Sequence, residues 1–163
     1  TYQVHFAARP EFESSEPLER QRWINVVGDI FANDVEDIDG LFAALWQHFA
    51  EPDHWRLDDS IAAQFYRLQE NGYSVGIASN FDARLVLICR SLFPQLDSQY
   101  IFYPSKLGYA KPDVRFYQSI ENAILNDSQT EFIMIGDDPE NDLNAARQAG
   151  WTACHRDEIN KLF

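Results

Sequence analysis

Read as apolar and polar positions alone, the chain changes rhythm at Gly72. Before it, apolar residues recur at spacings of three and four. Ser14-Ser15-Glu16-Pro17 reads as a helix start, with Pro17 in the first turn and Glu19 behind it. Trp23, Val26, Val27, Ile30 and Phe31 then continue at helical spacing. Asp39-Gly40 opens a second helix through Leu41, Phe42, Leu45, Trp46 and Phe49, which Pro52 stops. A third, over residues 59–71, carries Ile61, Phe65, Tyr66 and Leu68 and ends at Gly72, a residue type suited to closing a helix. No strand pattern stands out before Tyr73. Beyond Gly72, strands at 73–78, 99–103, 132–135 and 151–155 alternate with helices at 83–93, 114–125 and 141–149. Alternation of elements this short implies βαβ units. The expectation is an α/β fold, a doubly wound parallel sheet with helices on both faces, preceded by a helical N-terminal region. The chain divides accordingly into 1–58, helical, and 59–163, the α/β core.

Within that pattern the richest stretch is residues 131–150, EFIMIGDDPENDLNAARQAG. Phe132, Ile133, Met134 and Ile135 form a short buried strand and Gly136 a tight exit. Asp137, Asp138 and Asp142 follow where a helix bearing Leu143, Ala146 and Ala149 begins. Open α/β sheets place ligands at the carboxyl ends of their strands, where these acids stand. Clustered carboxylates repel one another, and a hard cation such as Mg²⁺ relieves that repulsion. Helix capping accounts for one or two of the acids, since carboxylates are favourable near a helix N-terminus. It does not account for the whole strand-loop-acid register.

Composition narrows the function without naming it. The 163 residues suffice for one domain, and 12 Phe, 7 Tyr and 4 Trp supply a sizeable core. A formal net charge of −13 opposes binding to nucleic acid or to an anionic membrane, and no basic run overrides it. No apolar run is long enough to span a bilayer, and no signal peptide is expected. Cys89 and Cys154 lack any spacing motif, which fits reduced thiols in a cytoplasmic protein. His5, His48, His54 and His155 are scattered, without metal-ligand spacing. Ser79 does not sit in a Gly-x-Ser-x-Gly elbow, and no glycine-rich loop precedes a Lys-Ser or Lys-Thr pair. A serine hydrolase and a P-loop nucleotidase are therefore disfavoured. The aromatic stripe of the first seventy residues is chiefly helix core, with a few members available to line a cleft facing the sheet.

Two further sites lie at strand ends. Ser79 and Asn80 follow the strand YSVGIA, and Lys111 occupies a loop, GYAKPD, just before a helix. Each alone reads as a turn or a solvated side chain. In order with the acidic loop, on successive βα units, they resemble the second, third and fourth motifs of the haloacid dehalogenase-like (HAD) superfamily of hydrolases: Ser79 in GIASNFD, Lys111 in GYAKPD, and Asp137 with Asp142 in GDDPENDLNAARQAG. The similarity runs from about Pro17 to Trp151. The phrases GYSVGIASNFDARL and KPDVRFY are most similar to the branch called haloacid dehalogenase-like hydrolase domain-containing 3. The resemblance implies an Asp nucleophile that attacks phosphorus and forms an aspartyl-phosphate, then hydrolysed by water. It implies that Ser79, Asn80 and Lys111 bind the phosphoryl group, with Ser79 and Lys111 acting catalytically. It implies further that Asp137 is a Mg²⁺ ligand, and that Asp138 and Asp142 lie behind it, Asp142 supporting Lys111 or metal-bound water.

The superfamily's first motif, an apolar strand followed by Asp-x-Asp-x-Thr, is not found. Asp37-Ile38-Asp39-Gly40-Leu41-Phe42 imitates it, but no buried strand precedes it, and Asp39 is expected to cap the following helix. The N-terminal helices resemble the cap inserted after that motif. The chain, which begins at Thr1 without an initiator Met, is expected to be a fragment with its first core strand and nucleophile upstream. By itself it is expected not to turn over substrate. The leading function is a Mg²⁺-dependent phosphatase for a small phosphorylated metabolite, its oligomeric state undetermined. The alternatives are a metal-free 2-haloacid dehalogenase, which the acid-rich loop opposes, and a non-catalytic phosphate- or metal-binding module. A phospho-receiver domain would carry its acids first and its Lys last, the reverse of this order.

Overall fold

The computed structural model describes residues 12–124 and 130–161. His5 and the expected helix end at Leu125 fall outside them. Three helices come first: α1 (Glu16–Phe31), α2 (Ile38–His48) and α3 (Asp59–Glu70). Helix α1 has Pro17 in its first turn and buries Val26 and Val27 with two polar residues, Glu19 and Arg22. The polar pair is tolerated because Arg22 meets Glu19 at 2.8 Å, and the Ser14 hydroxyl donates to the same carboxylate. Helix α2 starts two residues earlier in the acidic string than the sequence suggests. Asp37, not Asp39, is its cap, accepting the Gly40 N–H at 2.8 Å. Gly40 permits this approach: a Cβ there would lie 2.2 Å from the Asp37 carboxylate. No helix among the described residues is long and apolar enough to cross a membrane.

The α/β region follows as β1 (Ile77–Ala78), α4 (Leu85–Leu92), β2 (Ile101–Phe102), α5 (Pro104–Leu107), α6 (Val114–Ile124), β3 (Ile133–Gly136), α7 (Ala145–Gln148) and β4 (Thr152–His155). Strand β1 pairs in parallel with β2, and β3 in parallel with β4. The two pairs are not hydrogen-bonded to each other among the described residues. Helices cover both faces, as a doubly wound sheet requires. Successive strand residues point to opposite sides, and β2 shows it directly. Ile101 packs with Phe65, Leu85, Cys89 and Phe93, whereas Phe102 packs with Phe116, Tyr117, Met134 and Ala146.

Several elements are shorter than the apolar pattern suggests. The expected strand over 73–78 is paired only at Ile77 and Ala78. The expected strand over 99–103 opens as a 3₁₀ turn, Ser98–Tyr100, because the Asp97 carboxylate accepts the Gln99 N–H at 3.0 Å and fixes a turn. The helix expected over 141–149 begins earlier, at Pro139, and its first six residues, Pro139–Asn144, are wound as π-helix. A short helix, α5, was not foreseen.

Candidate active site

Lys111 reaches the expected sites of the other two loops. Its ammonium donates to Asp142 Oδ1 at 2.5 Å, in the loop beyond β3, and to the Ala78 carbonyl at 3.1 Å, at the carboxyl end of β1. The residue is only 6% exposed, and so is Asp142. Burying both charges is tolerable because they meet directly, with further hydrogen bonds on the carboxylate. Asp142 Oδ2 accepts the Asp138 N–H at 3.2 Å, and the Tyr117 hydroxyl donates to the Asn141 carbonyl at 2.5 Å, pinning the backbone beside it. Burial, followed by the charges of Asp142 and Asp138, pushes the Tyr117 phenol up, so it remains a neutral donor.

The backbone around Lys111 is fixed by Asn80. Its amide oxygen accepts the Lys111 N–H and its amide nitrogen donates to the Lys111 carbonyl, each at 2.9 Å. These reciprocal bonds join the loop after β1 to the loop before α6. The Lys111-Pro112 peptide is cis. Ser79 continues the β1 pairing, its N–H donating to the Phe102 carbonyl at 3.0 Å. Its hydroxyl oxygen accepts the Phe81 N–H at 3.1 Å, which orients the group and leaves its own proton to donate.

The acids after β3 divide into three environments. Asp142 is committed to Lys111. Asp138 caps the turn behind it, accepting the Glu140 and Asn141 N–H groups at 2.9 Å each and the Asn141 side-chain amide at 2.7 Å. The Asn141 N–H does most to hold the Asp138 carboxyl below its ordinary range, against the opposing effect of burial; the Asn141 side chain, the Glu140 N–H and the charge of Lys111 add to it. Asp137 stays in solvent, its side chain 62% exposed and 3.6 Å from the Arg156 guanidinium. Mg²⁺ is commonly held by one or two carboxylates together with water and substrate oxygens. Asp137 fits as one such donor. No group of three His, Cys, Asp or Glu side chains among the described residues is arranged to hold a cation.

Gly136 makes the Asp142 position possible. A Cβ there would stand 2.4 Å from Asp142 Oδ2 and 2.6 Å from its Cβ. The glycine that ends β3 is thus needed for close approach.

Sequence reading missed a repeated pattern beside the site. In FDAR and in PDVR an Asp is followed two residues later by an Arg that folds back on it. Arg84 grips the buried Asp82 through Nε and Nη2 at 2.8 and 2.6 Å; Arg115 does the same to Asp113 at 3.0 and 2.7 Å. Burial acts to raise the Asp113 carboxyl, but the Arg115 bonds outweigh it and hold it low. Each guanidinium also lies over an aromatic ring, Arg84 3.5 Å from the Trp46 centroid and Arg115 4.2 Å from that of Tyr109. Asp-x-Arg recurring directly after two motif loops was the available signal.

Lys111 thus ties the loop after β1 to the loop after β3, and the chain belongs to the haloacid dehalogenase-like hydrolase family, whose profile matches residues 4–150. Among curated proteins it is similar to haloacid dehalogenase-like hydrolase domain-containing protein 3 of Xenopus laevis, 26% identical over 155 residues, covering 91% of this chain and 63% of that protein. Among solved structures it is similar to a HAD phosphatase from Thermococcus onnurineus, with a TM-score of 0.58 and 18% identity over 82% of this chain and 65% of that one. It is also similar to a 2-haloacid dehalogenase from Pseudomonas syringae pv. Tomato DC3000, with a TM-score of 0.54 and 19% identity over 93% of this chain and 64% of that one. At these identities the structural likenesses speak to the fold. The chain spans somewhat less than two thirds of the length of each of these relatives.

Proposed function

We propose that this family member is a Mg²⁺-dependent phosphatase for a small phosphorylated metabolite, with the nucleophilic Asp supplied upstream of Thr1. The observation that carries the reading is the Lys111 ammonium. It is buried, and two of its three N–H bonds are taken, by Asp142 and by the Ala78 carbonyl. The third meets no acceptor among the described residues, and in this reading it takes a phosphoryl oxygen. A desolvated cation whose orientation is fixed in advance stabilises developing negative charge far better than a solvated one. In this reading Lys111 and the Ser79 hydroxyl hold the phosphoryl oxygens. Asn80 and Asp142 position Lys111, and Asp138 holds the turn that carries Asp142. Asp137 would hold Mg²⁺, which when bound screens phosphate from carboxylate.

The upstream nucleophile is supported by the sheet itself. Strands β1 and β3 each pair on one side only among the described residues, and Lys111 draws their carboxyl ends together. A strand carrying the nucleophile would lie between them and satisfy both edges. Attack by that Asp would form a P–O bond as the ester oxygen leaves with a proton. Water would then release inorganic phosphate. The helical region 1–58 would act as a cap that sets specificity over the core at 59–163. Cys89 and Cys154, both unpaired, support a cytoplasmic location.

The test is phosphate release from p-nitrophenyl phosphate, with the 163-residue chain and an upstream-extended chain assayed side by side. The extended chain should be active with Mg²⁺ and inactive in EDTA. Asp137→Asn should abolish Mg²⁺-dependent turnover, and Lys111→Ala should lower kcat by about 100-fold or more while circular dichroism stays unchanged. Turnover by residues 1–163 alone would remove the upstream nucleophile. Halide release from a 2-haloacid, undiminished in EDTA, would replace the phosphatase with a dehalogenase.

A further inference from the structure

Ser79 and Asn80 line a cleft of about 320 Å³ whose other walls are mainly aromatic. Trp23, Phe49, Trp55 and Phe81 meet ring to ring in a closed circuit. Trp23 stacks on Phe49 with centroids 5.9 Å apart, and Phe49 meets Trp55 at 6.3 Å. Phe81 stands edge-on to Trp55 at 5.4 Å and to Trp23 at 6.2 Å. All four are only partly buried. Trp55 already donates its indole N–H to the Phe49 carbonyl at 3.2 Å, so it offers the cleft an apolar surface. A group bonded to a phosphate at Ser79 therefore has the aromatic circuit as its nearest surroundings.

We propose that the ester group carried by the substrate is a neutral aromatic or similarly flat apolar moiety, held in this cleft. The proposal rests on the phosphoryl-binding reading of Ser79 and Lys111. Volume and chemistry agree: the cleft lies at the lower end of the range for small-molecule sites, roughly 300–1,000 Å³, which are mostly apolar with a few placed polar groups. Offset-stacked and edge-on partners suit a ring. Aromatic boxes also bind quaternary ammonium groups, but here a cation is already in place. The Arg84 guanidinium lies 4.8 Å from the Phe81 centroid and 5.5 Å from that of Trp23. Asp82 balances the Arg84 charge, but the guanidinium already occupies these ring faces, and a ligand cation would have to compete for them, which favours a neutral group.

The experiment uses the upstream-extended chain, with Mg²⁺ present, and ligands whose C–P bond resists hydrolysis. Calorimetry compares phenylphosphonate, methylphosphonate, 2-(trimethylammonio)ethylphosphonate and inorganic phosphate. Phenylphosphonate should bind at least tenfold more tightly than methylphosphonate and should alter tryptophan emission where methylphosphonate does not. Phe49→Leu and Trp55→Leu should reduce the phenyl-to-methyl preference to about threefold or less. The emission readout needs no variant, so misfolding of either substitution leaves the proposal testable. Equal affinity for phenyl- and methylphosphonate overturns the inference and leaves the phosphate site standing. A preference that survives both substitutions overturns the cleft assignment, and tightest binding of the trimethylammonio ligand overturns neutrality. Failure of every ligand, inorganic phosphate included, overturns the phosphoryl-binding reading itself.

Discussion

Three acids within one loop separate completely at the level of single residues. Asp142 neutralises Lys111, Asp138 ends a backbone turn and Asp137 faces solvent. The family resemblance set Asp142 beside Lys111, where the ion pair is found, while residue type and order alone did not separate the three acids. The pairing depends on Gly136, whose missing side chain lets the Asp142 carboxylate fold back against the strand end. Asp138 gives a test with a defined pH signature. Its folded carboxyl lies below its ordinary value, which is about 3.9 when unfolded. Its stabilisation is therefore fully present above that value and is lost as pH falls through the lower, folded one. Asp138→Ala should cost about 1 kcal/mol at pH 7, as cap truncations do. The difference from wild type in urea midpoint should shrink steadily below about pH 4. A constant difference down to the acid limb would remove the carboxylate's role.

Among elements, helices were legible and strand limits were not. Helices α1, α3 and α6 carry their own signals, since Pro17, Gly72 and the apolar spacing are local. A strand extends only as far as its neighbour, and no local pattern records where that neighbour stops. Val75 thus packs near the α4 side of the core without strand pairing, while Ile77 two residues later is paired. Asp97 and Asp138 redirect their segments by hydrogen bonds that the apolar pattern does not contain. One link between elements is Arg84, which joins the start of α4 to the end of α2. It grips Asp82, donates to the Trp46 carbonyl at 2.7 Å and lies over the Trp46 ring. Arg84→Ala strands a carboxylate that is 1% exposed. Removing one partner of such a pair costs about 3–5 kcal/mol, a large share of the stability of a domain this size. Chemical denaturation should show that loss, and a change under about 1 kcal/mol would mean that Asp82 finds another partner.

For the whole molecule, alternation of strand and helix was enough to read a doubly wound fold, and the order of three motifs was enough to read its family. What the one-dimensional pattern could not carry was which aromatics meet. Trp23, Phe49, Trp55 and Phe81 come from four separate segments, and the sequence offered a few of the early aromatics to a cleft without singling these out. Both thiols report on the integrity of the whole. Burial pushes Cys89 up to about 11, and burial with the nearby Glu158 charge raises Cys154 as well. At pH 8 neither should react with Ellman's reagent until urea unfolds the chain, when both should titrate together. Early labelling of Cys154 alone would mean that β4 opens on its own.

Lys111 is also a mechanical part. One ammonium group clasps a carbonyl at the tip of one strand pair and a carboxylate beyond the tip of the other. Any anion that competes for that amine therefore loosens or retightens the seam between the two halves as it arrives. An oxyanion held at that amine would then be felt by the framework the two contacts join, as well as by the loops that touch it.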